Sequence, residues 1–122
     1  MANDKASTRV RLDRAVIIEA GMELAATGVA SISVRDLGAR LGADPTAIYR
    51  HFASKEALMG ALLDELNGRA AASVSLPVEE WADRLRALAE ETLALYVRHP
   101  AIGTEATTLT THGPGELAAI EL

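Results

Sequence analysis

The stretch Ser33-Val34-Arg35-Asp36-Leu37-Gly38-Ala39-Arg40-Leu41-Gly42-Ala43-Asp44-Pro45-Thr46-Ala47-Ile48-Tyr49-Arg50-His51-Phe52 decides the fold, because it holds two helix starts and one tight turn. Ser33 is an N-cap residue, and Asp36 stands at the capping-box spacing, with Asp in place of the usual Glu. Val34, Leu37 and Leu41 form one apolar stripe, which predicts a helix over 34–41. Gly42 supplies a turn. Asp44-Pro45 is the second start: Asp caps, and Pro takes the first helical position, where its missing N–H is harmless. This predicts a short helix over 45–51, with Ile48 and Phe52 facing inward. Two short capped helices joined by three residues have the form of a helix-turn-helix, and Gly38 leaves room for the two to cross closely.

The pattern extends on both sides. Residues 1–10 are polar and mixed and read as an arm. Asp13 caps a helical pattern of Val16, Ile17, Ala20 and Leu24 that Gly28 ends, which predicts a helix over 13–27. Ser54-Lys55-Glu56 is a third cap, with Glu56 in the first turn where the helix dipole favours it. Leu58, Met59, Leu62, Leu63 and Leu66 then predict a helix over 54–72. Ser73–Val78, with Pro77, reads as a linker. Trp81, Leu85, Leu88 and Leu95 predict a helix over 79–98 that Pro100 ends, and they read as core, with pocket lining as the alternative. Residues 100–112 are Thr-rich and ambiguous. Gly113-Pro114-Gly115 breaks the chain, and Glu116–Leu122 reads as the first two turns of a helix cut off without a stop signal, as in part of a larger protein. There is no internal repeat and no strand alternation. The expected fold is all-α: a three-helix head, linked by the helix over 54–72 to a partial helical domain. The expected division is 1–55 and 56–122.

The chain has 122 residues and no Cys, which excludes disulfide frameworks, thiolate metal sites and Cys nucleophiles. No apolar run approaches the length of a membrane span, and the polar N-terminus is followed by no signal-like apolar region. A cytoplasmic protein is expected. The formal net charge of −5 is unevenly spread. Residues 1–55 hold eight Lys and Arg against six Asp and Glu, a net +2, whereas residues 56–122 hold four against eleven, a net −7. Any polyanion contact therefore belongs to the front. His51, His99 and His112 lack metal-ligand spacing. Glu79-Glu80 and Glu90-Glu91 are adjacent on a helix, point apart, and read as solvated faces. Tyr96 and His99 read as structural ahead of ligand-facing. No nucleophile–base pair, phosphate loop or metal set is present, so neither an enzyme nor a cofactor is expected.

A helix-turn-helix works by holding its second helix rigidly, so that the N-terminal end enters the major groove. Here that helix would expose Pro45, Thr46, Ala47 and Arg50, with Arg35, Tyr49, His51 and Lys55 around it as donors to phosphates. Taken singly, Arg35, Arg50 and Lys55 would pass for solvated surface charges. Their clustering on one helix-turn-helix with Tyr49 and His51 favours binding.

The run Ser33 to Gly42, then Ile48-Tyr49-Arg50-His51-Phe52 and Ser54-Lys55-Glu56-Ala57-Leu58, resembles the DNA-binding domain of the TetR family of transcriptional repressors. The resemblance covers roughly residues 9–66, and from Trp81 onward the chain looks more loosely like the start of a tetracycline-repressor-type C-terminal domain. It implies that Ser33, Tyr49, His51 and Lys55 contact the DNA backbone. It implies that Arg35, Pro45, Thr46, Ala47 and Arg50 read bases, Arg35 most plausibly guanine, and that Arg9 and Arg11 reach DNA from the arm. It further implies a double-stranded operator, an unknown small-molecule effector and a homodimer in the full-length form. Leu62, Leu66, Trp81, Leu85, Leu88 and Tyr96 are candidates for an effector pocket. The family's dimer interface usually comes from the last helices of a longer chain, which this sequence does not contain. A second reading, motivated by the acidic total and the short chain, is an all-helical interaction module that no longer binds DNA.

Overall fold

The computed structural model describes residues 11–107 and 113–121. They form α1 (Arg14–Ala25), α2 (Val34–Leu41), α3 (Pro45–Tyr49), α4 (Lys55–Ala72), a 3-10 turn at Val78–Glu80, α5 (Trp81–Arg98), α6 (Pro100–Gly103), a second 3-10 turn at Thr104–Thr107, and α7 (Pro114–Glu121). No strand occurs among the described residues, and no helix among them is long and apolar enough to cross a membrane.

Four side-chain caps set the helix starts of the head. Asp13, Ser33, Asp44 and Ser54 all have extended backbones. Their oxygens accept from the N–H three residues on: Val16 at 2.9 Å, Asp36 at 2.9 Å, Ala47 at 3.1 Å and Ala57 at 3.0 Å. Each satisfies a backbone donor that would otherwise have no helical partner. Gly42 ends α2 in the left-handed conformation, at φ 69°, which a side chain would resist.

Two boundaries shift from the sequence expectation. The helix expected over 45–51 stops at Tyr49, with Arg50 as its C-cap, as the chain turns to bury Phe52. Gly113-Pro114-Gly115 does not only break the chain: Pro114 opens α7, where its fixed φ suits a first helical residue. The Gly115 N–H donates to Asp64 Oδ2 at 3.1 Å, and Gly115 lies against the Gly68 backbone on α4. Of the ambiguous stretch 100–112, the first eight residues are α6 and the second 3-10 turn, and 108–112 lie outside the described residues.

One apolar cluster holds the molecule together. Ile17 from α1, Leu37 from α2, Ile48 and Phe52 from α3 and its exit, Leu62 and Leu66 from α4, and Ile102 from α6 are all buried in it. The elements on either side of position 55/56 therefore share one core, with α4 packed into the head. Gly21 brings α1 close to α4: a Cβ there would meet Leu62 Cδ2 at 2.7 Å.

The expectation that Trp81 and Leu85 are core needs correction. Trp81 is 70% exposed and Leu85 61%. The stripe is helical as expected, but only its C-terminal half is covered: Leu95 and Tyr96 pack against the core. Among the described residues, Trp81 and Leu85 on the first two turns of α5 stay uncovered, and α5 has no fully buried residue.

Gly38 and Gly60 give opposite expectations. A Cβ at Gly38 would collide with the Ala43 carbonyl oxygen, whereas a Cβ at Gly60 meets nothing within 4 Å. Gly38→Ala is expected to cost about 1–3 kcal/mol through overpacking, and Gly60→Ala to gain up to about 1 kcal/mol of helix propensity. Thermal melts of the two variants should move in opposite directions from the parent chain.

Candidate nucleic-acid interface

Helix α3 is five residues long, and Ile48 is its buried residue. With Ile48 anchored and Asp44 capping, Pro45 and Thr46 face solvent at the N-terminal end and Ala47 is half-buried. Tyr49 and Arg50 are exposed and His51 is half-buried. Helix α2 fixes this element from behind. The Ala43 N–H donates to the Gly38 carbonyl at 2.8 Å, and this close return of the turn is possible because Gly38 has no side chain. Arg35 is the exposed second residue of α2, behind the half-buried Ser33 cap. Lys55 is the exposed first residue of α4, behind the Ser54 cap. Arg11 is exposed just ahead of Asp13, and Arg9 lies outside the described residues. The base-reading and backbone candidates from 33 to 55 thus fall on three consecutive elements of one head.

Charge pairing engages most of the other described cations, with Arg84, whose Nε has no hydrogen-bond partner, as an exception. Arg40 pairs with Glu23 at 3.8 Å, Arg86 with Asp83 at 3.7 Å and Arg98 with Glu91 at 3.5 Å. Arg69 bridges α4 to α1, reaching Glu65 at 2.9 Å and Glu19 at 3.0 Å. The hydrogen bond that Arg69 donates to Glu65 raises the Arg69 pKa above its ordinary value, against partial burial, and Glu19 adds to this. Arg14 donates to the His51 carbonyl oxygen at 2.9 Å. Arg35, Arg50 and Lys55, in contrast, make no hydrogen bond or ion pair with any described residue. Three cations on one helix-turn-helix are left for an external anion. A duplex presents phosphates at the density to satisfy several such donors together.

Residues 17–62 match the family described as bacterial regulatory proteins, tetR family. The chain belongs to the TetR family. It is 37% identical over 90 residues to the HTH-type transcriptional repressor DrrR1 of Streptomyces coeruleorubidus, covering 73% of this chain and 33% of that protein. It is 33% identical over 118 residues to an HTH-type transcriptional regulator of Saccharopolyspora erythraea, covering 93% of this chain and 48% of that one. The crystal structure of a protein from Streptomyces coelicolor A3(2) superposes with a TM-score of 0.80 at 30% identity, covering 92% of this chain and 56% of that one. The chain thus spans between a third and a half of the length of these two curated relatives.

The TetR match lies on the head and the first half of α4, where the interface candidates are. The pocket candidates fare differently. Leu62 and Leu66 are fully buried in the shared core and offer no surface to a ligand. Trp81 and Leu85 are exposed, and Leu88 and Tyr96 are half-buried. The Tyr96 hydroxyl donates to Asn67 Oδ1 at 2.8 Å, and His99 Nδ1 lies 2.8 Å from the Leu95 carbonyl, so both have structural partners. The apolar face of α4 is taken up by α1, so its polar faces line the clefts instead. One cleft of about 500 Å³ involves Arg14, Ser54, Glu56, Asp64 and Pro114; another of about 480 Å³ involves Asp64, Gly68, Arg69 and Ala118. None of the six pocket candidates lines either cleft.

Two residues escaped the sequence reading. The Glu65–Arg69 spacing of four is a legible helical pair, but Glu19 lies fifty residues away from Arg69 in sequence. Arg14 counted only as one charge of the basic front, although its guanidinium carbon sits 4.4 Å from the centre of the Phe52 ring.

Because α3 is so short, its cap carries much of its order. Asp44→Ala is expected to cost about 1 kcal/mol. Asp44→Asn keeps an accepting oxygen and should stay close to the parent chain in urea denaturation.

Proposed function

We propose that this TetR-family chain carries the DNA-reading part of a transcriptional repressor that a small-molecule effector releases from its operator. The observation that carries this reading is the set of unpaired cations Arg35, Arg50 and Lys55 on one helix-turn-helix, in a chain whose described cations elsewhere are mostly engaged. Tyr49, His51, Lys55 and the Ser33 hydroxyl hold the phosphate backbone and fix the register. Pro45, Thr46, Ala47 and Arg50 face the base edges, Thr46 and Ala47 offering methyl contacts to thymine and Arg35 its donor fork to guanine. Arg9 and Arg11 add contacts from the arm. Residues 1–55 do the reading, and 56–122 begin the regulatory part, acting in the cytoplasm.

Repression follows from occupying the operator, and the relative DrrR1 is itself named a repressor. In a homodimer of the full-length form, the two reading helices must lie about 34–36 Å apart to enter successive major grooves. Helix α4 packs into the head core, so a displacement of α4 moves the head with it. An effector that favours the displaced arrangement shifts the population away from DNA.

A fluorescence-anisotropy titration with the duplex upstream of the chain's own reading frame tests this reading. Binding should weaken steeply with salt. Combining Tyr49→Phe with Lys55→Ala should weaken binding to all sequences and lower the salt slope by about one. Arg35→Ala should relax the preference at one base pair by about 1–3 kcal/mol. Binding and slope unchanged in the Tyr49/Lys55 variant would overturn the docking, and a chain that binds no duplex would favour the interaction-module reading.

A further inference from the structure

We infer that Arg14 is a positioning residue for DNA recognition: from α1 it clamps the exit of α3 and so holds the backbone-contacting side chains in place. This rests on the DNA-binding reading above.

Three observations converge on it. First, Arg14 Nη1 donates to the His51 carbonyl oxygen at 2.9 Å, across 37 residues of sequence. The His51 carbonyl lies just past the end of the helix, in the turn after its Arg50 cap, and a charged donor reaches it there, a stronger bond than a neutral donor would make. Second, the guanidinium stacks on Phe52, whose ring is buried in the core. Arginine can do both at once because its flat group stacks while its fork reaches sideways; a lysine ammonium has no plane to stack. Third, Arg14 is the first residue of α1, directly after the Asp13 cap, and Ile17 one turn on is fully buried. The clamp therefore starts from a fixed point.

What it clamps is a short irregular segment, anchored in the core by Phe52 and closed by the Ser54 cap. Between Tyr49 and Lys55 the backbone is tied by turn bonds such as His51 N–H to Ile48 oxygen at 3.0 Å and Phe52 N–H to the same oxygen at 3.3 Å. Ala53 and Ser54 are exposed. Tyr49, Arg50, His51 and Lys55 lie in or beside this segment, so its orientation sets where four of the proposed DNA contacts point. Arg14 acts on them through the backbone. One N–H of its fork is taken by the His51 carbonyl and one face by the ring, which places its action on the backbone of this segment, and the salt slope below tests whether it also meets a phosphate.

The salt slope of binding separates these roles. The full chain, Arg14→Met and Arg14→Lys are titrated with the duplex upstream of the reading frame and with a random-sequence duplex, at several salt concentrations. Arg14→Met keeps an apolar stem on Phe52 but loses the donor; Arg14→Lys keeps the charge but loses the fork. Arg14→Met is expected to weaken the upstream duplex roughly tenfold, the worth of one charge-assisted hydrogen bond, with the salt slope unchanged. Arg14→Lys should weaken it several-fold by the same route, and in both variants the preference over the random duplex should narrow. Should Arg14→Met fold poorly, Arg14→Lys and its slope decide alone. A slope lower by about one would mean that Arg14 touches phosphate directly, and unchanged affinity in either variant would mean that the clamp positions nothing; both overturn the inference. A parent chain that binds neither duplex overturns the DNA-binding reading and this inference with it. A parent chain that binds normally beside unaffected variants overturns this inference alone.

Discussion

Helix α1 lies on helix α4 so closely that a Cβ at position 21 would displace the end of the Leu62 side chain. Gly21 leaves the space into which Leu62 projects, and Ile17 and Leu66 bury completely within the same cluster. The other parts of the head depend on this contact. Leu37 and Ile48 attach α2 and α3 to the same apolar mass, and the Arg69 bridge to Glu19 and Glu65 ties the two helices again at the surface. The surface bridge adds little by itself. The apolar contact does the fixing, because deleting methylenes from so tight an interface removes both their transfer energy and their packing partners.

The turn of the helix-turn-helix follows the same logic on a smaller scale. Gly38 admits the Ala43 carbonyl, Gly42 adopts a left-handed backbone, and Asp44 caps the next helix. Each of these residue types has few substitutes there, for a steric or hydrogen-bonding reason. For that reason the head was readable from sequence. Four caps, two glycines and one Pro at a first helical position mark its boundaries locally, within a few residues each.

What the sequence concealed depends on long-range placement. Periodicity predicts that Trp81, Leu85, Leu88 and Leu95 share a helix face, but not how far along that face a neighbour extends. Only the C-terminal half of α5 is covered among the described residues. Leu62 and Leu66 are candidates for a pocket by resemblance, yet both bury fully in the shared core, Leu62 against Gly21 of α1. Gly113-Pro114-Gly115 carries the same residues whether it breaks a chain or opens a helix, and the partner that decides, Asp64, is fifty-one residues from Gly115. The Arg14 clamp is hidden in the same way. The interface candidates were legible as residue types in a pattern, while their freedom from internal partners required the packed chain.

The shared core also bears on how such regulators can be recombined. Helix α4 completes the hydrophobic interior of the head, so a head cut away at position 55 would expose Leu58, Leu62 and Leu66 together with the side chains they cover. The head is thus not a cassette that ends where its last interface candidate stands. An exchange of operator specificity between relatives would have to carry α4 along and join in the segment after Ala72, where the backbone runs exposed through Ser75 to Pro77. Even there the incoming α4 must accept Ile102 of the recipient. Shuffling of heads among such proteins is therefore constrained by the hydrophobic surface on the helix behind them.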